Sequence, residues 1–160
     1  MQALVKELSA ALRTRRIMLS TAESCTGGMI ATAITEIAGS SSLFDRGFVT
    51  YSNEAKMEML GVPAAIINTH GAVSKECAAA MAQGALQNSH ADIAVSVTGI
   101  AGPDGGSADK PLGTIYIGVA KTGHDTITRH YAFDGTRNDI RKQTCEAALN
   151  ILLQSLAEQS

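Results

Sequence analysis

Residues 17–37 read IMLSTAESCTGGMIATAITEI, and this stretch is the most informative about the fold. The apolar run at 17–19 is typical of a strand, and the apolar run at 29–37 predicts a helix. The hydroxyl-bearing and glycine residues between them predict a sharp turn from strand to helix. Such a turn combines side-chain hydroxyls with the unpaired N–H groups of a helix start, which is an arrangement suited to a phosphate or another anion.

The same stretch also permits a plain helix cap, in which Ser24 or Thr26 caps the helix. Two further polar clusters favour a binding site instead, because both the cluster at 39–56 and the cluster at 96–107 leave strand-like segments. Ligands of α/β proteins gather at the carboxyl ends of strands. We therefore expect the three clusters to share one pocket.

Helical and strand patterns alternate along the rest of the chain. Apolar spacing and capping residues predict helices at about 2–14, 28–37, 53–60, 63–68 and 75–88, and a last helix from Thr136 or Asn138 to about 156. Strands are predicted at about 16–20, 47–51, 93–97, 113–120 and 126–133. This order predicts a single α/β domain over 1–160, a three-layer α/β/α sandwich with a mixed sheet.

Composition narrows the class of protein. The chain has 160 residues, 45% of them hydrophobic but only 4% aromatic, so we expect a globular protein with an aliphatic core. A net charge of −2 argues against a nucleic-acid partner, and the apolar runs are too short to span a membrane. Three widely spaced cysteines and four scattered histidines form no disulfide or metal-ligand pattern. We expect a cytoplasmic protein without a metal.

Six motifs then occur in a fixed order. They read AESCTGG at 22–28, GSS at 39–41, YSNEAK at 51–56, GAVS at 71–74, TGIAGPDGG at 98–106 and PLGT at 111–114. This series closely resembles the CinA C-terminal domain family, whose stand-alone members include nicotinamide-nucleotide amidases. The resemblance covers about residues 5–155 and implies hydrolysis of the carboxamide of nicotinamide mononucleotide, a sandwich fold and no required cofactor. We also expect a homo-oligomer.

Amide hydrolysis needs a nucleophile and a base. The polar clusters contain no histidine, which leaves Lys56 as the predicted base, with Tyr51 assisting. The resemblance supports this pair, since both positions match a family motif implicated in catalysis. Ser24 and Ser41 are equally ranked nucleophiles, ahead of Cys25, whose place at a helix start lowers the pKa of a thiol.

The remaining predicted site residues are expected to bind the substrate, with the phosphate held at 23–28. They are Glu23, Cys25, Thr26, Gly27, Gly28, Ser40, Asn53, Thr98, Gly99, Ala101, Gly102 and Arg141. The main alternative is a nucleotide-binding module of the same family without turnover, because the same cradle would hold a phosphate in either protein. A DNA-processing accessory is a third possibility, against which the charge and the few aromatic residues count.

Overall fold

A mixed sheet of five strands forms the middle layer of the structure, a computed structural model that describes residues 1–158. The strands are β1 (Leu19–Glu23), β2 (Phe44–Val49), β3 (Ile93–Gly99), β4 (Thr114–Lys121) and β5 (Ile127–Ala132). Their order across the sheet is β2-β1-β3-β4-β5. The strand β1 is parallel to β2 and β3, whereas β4 is antiparallel to β3 and β5. The predicted mixed sheet is confirmed.

Helices cover both faces of the sheet. They are α1 (Gln2–Arg15), α2 (Met29–Thr35), α3 (Asn53–Leu60), α4 (Ala64–His70), α5 (Lys75–Gln87) and α6 (Arg137–Ala157), with a short 3-10 turn at Ser40–Ser42. One face carries α1, α2 and α6, which pack on one another, and the other carries α5 with α3 and α4 beside it. The three-layer sandwich predicted from the sequence is therefore confirmed.

The central strand β3 explains why two helical layers are needed. Its side chains alternate between the faces, so that Val95 and Val97 join the core beneath α6 while Ala94 joins the core beneath α5. Small residues let α5 lie very close to the sheet. A Cβ atom on Gly118 would meet the Ala78 carbonyl oxygen at 2.6 Å. Both faces of β3 are thus buried, as its near-continuous apolar sequence predicts.

The predicted caps are confirmed at α5 and α6 but are wrong at α2 and α3. The cap of α2 is Gly28, which makes no side-chain hydrogen bond, and not Ser24 or Thr26. Ser74 accepts a hydrogen bond from the Cys77 N–H at the start of α5, and Thr136 forms a capping box with Asp139 at the start of α6. For α3 the cap is Ser52, not Asn53, because the Ser52 hydroxyl accepts from the N–H three residues later.

The strand boundaries at β1 and β2 differ from the prediction. The strand β1 begins three residues later than predicted and extends through Glu23, so Thr21, Ala22 and Glu23 lie in a buried strand and not in a loop. The prediction ended this strand too early because its buried side chains are polar: the Ser20 hydroxyl donates to Ala85 O at 3.4 Å, and the Glu23 carboxylate accepts from the Ile30 N–H. The strand β2 differs in the other direction, because it begins at Phe44, before the predicted start at about 47. Phe44 pairs with Leu19, the first residue of β1.

Candidate active site

A cleft of about 280 Å³ opens where β1 and β3 end. Nine predicted site residues line it: Ser24, Cys25, Tyr51, Asn53, Lys56, Thr98, Gly99, Ala101 and Gly102. Six further lining residues were not predicted as site residues: Ala72, Val73, Ile100, Asp104, Gly105 and Arg137. All three polar clusters therefore contribute to the cleft, the cluster at 39–56 only through its last residues. The cleft lies at the carboxyl end of the parallel strands, as expected for an α/β protein.

Lys56 lies at the inner end of this cleft with a side chain only 1% exposed. Its Nζ lies 3.0 Å from Ser24 Oγ, 2.9 Å from Thr50 O and 3.1 Å from Tyr51 O. Among residues 1–158 no carboxylate forms an ion pair with it. Burial lowers the pKa of the Lys56 ammonium below its ordinary value of 10.5.

These contacts suit a neutral amine acting as a base. A neutral amine has two N–H bonds and one lone pair. The two carbonyl oxygens, of Thr50 and Tyr51, can accept the two N–H bonds, and the lone pair then faces the Ser24 hydroxyl. The two backbone carbonyls after β2 thereby direct the lone pair of Lys56 toward the Ser24 hydroxyl proton, as a general base requires.

The sequence around Lys56 explains its placement. The helix α3 begins immediately after the β2 exit, and the Ser52 cap fixes its first turn. Lys56 lies in that turn, so its side chain turns back toward the chain that has just left the strand. Tyr51 contributes its backbone carbonyl to Lys56, but its ring is 61% exposed and its hydroxyl accepts from Arg137 Nη2 at 3.0 Å. The predicted pairing of Tyr51 with Lys56 is thus a backbone contact.

Ser24 and Cys25 follow β1 directly and differ in reactivity. The Ser24 N–H donates to Val97 O, which holds the residue beside β3, and its hydroxyl faces Lys56. Burial raises the pKa of the Cys25 thiol to about 11, even though the Arg141 guanidinium opposes that shift. The expected lowering of this pKa is therefore wrong. A protonated thiol is a poor nucleophile, so the geometry and the pKa both favour Ser24.

Glu23 occupies the helix start that was predicted to bind phosphate. Its Oε1 accepts from Thr26 Oγ1 at 2.7 Å and from the Ile30 N–H at 2.9 Å. Its Oε2 accepts from the Ala31 N–H at 3.0 Å. Because the protein's own carboxylate takes these first-turn N–H groups, the predicted phosphate cradle at 23–28 is already filled, and Glu23 has a structural role.

Replacing Glu23 should therefore lower the stability of the folded chain. Glu23→Ala would leave the Thr26 hydroxyl and two N–H groups of α2 unsatisfied in a buried place, so we expect it to lower the free energy of unfolding by about 3 kcal/mol. Urea denaturation followed by circular dichroism measures this change. Glu58→Ala, on the exposed side of α3, is the matched control. Equal denaturation midpoints for the two variants would contradict the structural role.

Arg141 also differs from its predicted role. Its Nε donates to Cys25 O and its Nη2 to Thr26 O, both at 3.1 Å, so the guanidinium fastens the loop after β1 to α6. Neither Arg141 nor Thr26, Gly27 or Gly28 lines the cleft. These contacts join the loop to α6. None of the four residues contacts the cleft, so the structure gives no support to the substrate-binding roles predicted for them.

Ser40 and Ser41 lie at the other end of the sheet. They form the short turn that precedes β2, and Leu43 O accepts from the Leu19 N–H at the beginning of β1. Ser24 follows the opposite end of β1, five residues along, a distance on the order of 15 Å. Within one chain the structure therefore separates Ser41 from Lys56, and Ser24 alone of the two ranked serines contacts the base.

Arg137 is the functional candidate that the sequence reasoning missed. It is the first residue of α6, and its Nη1 donates to Gly102 O at 2.6 Å while its Nη2 donates to the Tyr51 hydroxyl. This brings a permanent positive charge to the mouth of the cleft. The signal in the sequence was weak, since an arginine after a helix cap is ordinary.

Two other features are absent from the part of the chain that the structure describes. Across residues 1–158, no group of three or more His, Cys, Asp or Glu side chains is arranged to hold a metal ion. Within the same part of the chain, no helix has the length and apolar character needed to cross a membrane.

Comparisons with known proteins agree with one another. The family model described as CinA C-terminal domain matches residues 1–156. Nicotinamide-nucleotide amidohydrolase PncC of Escherichia coli is 49% identical over 155 residues, which are 97% of this chain and 94% of that protein. A CinA-like protein of a Geobacter species is 54% identical over 91% of this chain but only 35% of its own length, so this chain spans about a third of that longer relative.

Solved structures match equally well. The competence/damage inducible protein CihA from Agrobacterium tumefaciens has a TM-score of 0.94 at 46% identity, covering 98% of this chain and 94% of its own. The competence damage-inducible protein A (ComA) from Klebsiella pneumoniae has a TM-score of 0.95 at 38% identity, covering 99% and 98%. The order of strands and helices described above is therefore shared by proteins of known structure.

Proposed function

Since this chain belongs to the CinA C-terminal domain family, we propose that it hydrolyses the carboxamide of nicotinamide mononucleotide to nicotinate mononucleotide and ammonia. One observation carries the proposal: the Ser24 hydroxyl and the buried Lys56 amine lie 3.0 Å apart inside the cleft. The 49% identity to the Escherichia coli nicotinamide-nucleotide amidohydrolase supports the choice of substrate.

The reaction follows from this pair of residues. Neutral Lys56 removes the Ser24 proton as the serine oxygen attacks the carboxamide carbon, giving a tetrahedral oxyanion. Lys56 then protonates the leaving nitrogen, so ammonia departs and an ester on Ser24 remains. Water enters, Lys56 takes its proton, and the ester is cleaved to the carboxylate with the proton returned to Ser24. The second proton of the water passes to the released ammonia or to solvent as the carboxylate forms, so the protons balance without another reagent.

The Cys25 N–H is the proposed donor to the oxyanion. It directly follows the nucleophile, and among the described residues no backbone carbonyl accepts from it. A backbone N–H aimed at the developing negative charge stabilises the transition state more than the ground state. Arg141 holds the Cys25 carbonyl, which belongs to the next peptide group, and so helps to fix the direction of the loop.

We assign the phosphate to Arg137, replacing the predicted cradle at 23–28. Its guanidinium lies at the rim of the cleft, and the hydrogen bonds to Gly102 O and to the Tyr51 hydroxyl hold it there. Guanidinium groups bind phosphate oxygens through two parallel N–H bonds. A nucleotide bound with its amide at Ser24 would then extend from the inner end of the cleft toward α6.

Substituting Arg137 should weaken the use of the phosphate specifically. We expect Arg137→Met to raise the KM for nicotinamide mononucleotide by about 30-fold or more, the worth of one charge-assisted phosphate contact. The KM for nicotinamide riboside, which lacks the phosphate, should change less than about threefold. Steady-state kinetics with both substrates measures the split. A similar rise for both would place the phosphate elsewhere.

Ammonia release from nicotinamide mononucleotide by the purified chain tests the function itself. Nicotinate mononucleotide should accumulate in equal amount, as measured by chromatography. A folded chain that binds the nucleotide in calorimetry but releases no ammonia would favour the second candidate, a nucleotide-binding module without turnover. Lys56 is buried beside a serine and forms no ion pair within residues 1–158, which favours the enzyme, since binding alone does not need that pair.

We further propose a cytoplasmic homo-oligomer that needs no cofactor and has no nucleic-acid or membrane partner. Three buried free thiols, Cys25, Cys77 and Cys145, support a reducing compartment. The net charge of −2 supports the absence of a nucleic-acid partner. Light scattering coupled to size exclusion measures the oligomeric state, and a monomer would contradict that part of the proposal.

A further inference from the structure

Two hydrogen bonds join the segments on either side of the cleft. One side is the segment 70–74, from the end of α4 to the start of α5, and the other is the segment 98–110, which begins at the end of β3. The inner bond runs from Thr98 Oγ1 to Ala72 O at 2.9 Å. The outer bond runs from Lys110 Nζ to His70 O at 2.7 Å. The spacing between the two sides is thus fixed at both ends.

The outer bond is well supported on each side. The Lys110 N–H donates to Ser107 Oγ, and the Ser107 N–H donates to Lys110 O, so a closed turn presents the lysine. His70 is the last residue of α4, where the carbonyl end of a helix attracts a cation. Gly71 leaves the room that the ammonium needs, since a Cβ there would lie 3.2 Å from Nζ at a φ of +79°.

We propose that Lys110 is a positioning residue that sets the width of the slot for the pyridine ring. Lys110 does not line the cleft, so it acts through the segments that it joins. Ala72, Val73 and Ile100 give the two sides apolar surface, which suits a flat aromatic ring. Backbone bonds to Thr114 and Gly113 hold Ile100, and Arg137 holds Gly102 O, so loss of the outer bond would release mainly residues 103–109 from the side of the turn at 71–74. The inference rests on the proposed function for the identity of the ring.

The kinetic test compares three substitutions. Lys110→Met keeps the chain length but removes the donor, and we expect it to raise the KM for nicotinamide mononucleotide about fivefold with kcat within about twofold. Lys110→Arg should restore most of the KM because it keeps a cationic donor. Lys75→Met, an exposed neighbour at the start of α5, should behave as the unmodified chain. An unchanged KM in Lys110→Met, or a fall in kcat of the same size, would overturn the positioning role.

Hydrogen exchange provides a second measurement that does not depend on turnover. In Lys110→Met the amides of 104–109 should exchange about fivefold faster than in the unmodified chain, while those of β3 should not change. Unchanged exchange at 104–109 would overturn the inference. If the unmodified chain releases no ammonia but exchange still accelerates, the proposed function fails and the bridge stands, so the two failures are distinguishable.

Discussion

Lys56→Met is expected to lower kcat by about 10³-fold, the usual worth of a general base, or about 4 kcal/mol of transition-state stabilisation. Methionine has nearly the length of lysine but no lone pair to accept the Ser24 proton. The Thr50 and Tyr51 carbonyl oxygens would lose a hydrogen-bond donor, but the free-energy cost of burying an ammonium would also be removed. Ammonia release under saturating nicotinamide mononucleotide measures the change.

The pH dependence of the unmodified chain should follow the same amine. Burial lowers the pKa of Lys56, and only the neutral amine can accept a proton. The value of kcat/KM should therefore rise with pH through the lowered pKa and reach a plateau below the ordinary 10.5. Lys56→Met should lack that rise in its residual activity. A rate that falls over this range would contradict a lysine base.

Stability separates loss of chemistry from loss of folding. In the folded chain the Lys56 pKa is lowered, so the unfolded chain binds this proton more tightly. Lys56 therefore opposes folding at neutral pH, and that opposition weakens as the pH rises from the lowered pKa toward 10.5. Lys56→Met should not lower the melting temperature at pH 7. Lys6→Met, exposed on α1, is the control for both activity and melting.

The layers of the fold could be predicted because local patterns agree with the global arrangement. The apolar run of β3 is buried on both faces, and the caps Ser74 and Thr136 begin the helices α5 and α6 as expected. The end of β1 could not be predicted, because Thr21 and Glu23 are polar yet buried in the middle of the sheet. Only the contact of Glu23 with the first turn of α2 explains its place in a strand.

The candidate site could be predicted where local order along the chain determines contact. Lys56 follows a strand and a cap within a few residues, and Ser24 follows a neighbouring strand, so both were expected at one end of the sheet. Arg137 meets Gly102 and Tyr51 across 35 and 86 residues, which no local pattern encodes. Ser41 was misplaced because the cluster at 39–56 was treated as one unit, although its first residues precede β2 and only its last residues follow it.

Ser24→Ala and Ser41→Ala form a matched pair that identifies the nucleophile. We expect Ser24→Ala to lower kcat by about 10³-fold or more, because no acyl ester can form without its oxygen. Ser41→Ala should keep kcat within about twofold, since Ser41 lies at the amino end of β2 while the base lies beyond its carboxyl end. The same ammonia assay measures both variants.

Two further results complete the assignment of the nucleophile. Hydroxylamine added to the unmodified chain should divert the ester on Ser24 to a hydroxamate, and mass spectrometry should detect none in Ser24→Ala. Cys25→Ala should remain active, because burial keeps that thiol protonated with a pKa of about 11. An inactive Cys25→Ala beside an active Ser24→Ala would make the thiol the nucleophile. An inactive Ser41→Ala would contradict this assignment, because within one chain the sheet separates Ser41 from the cleft.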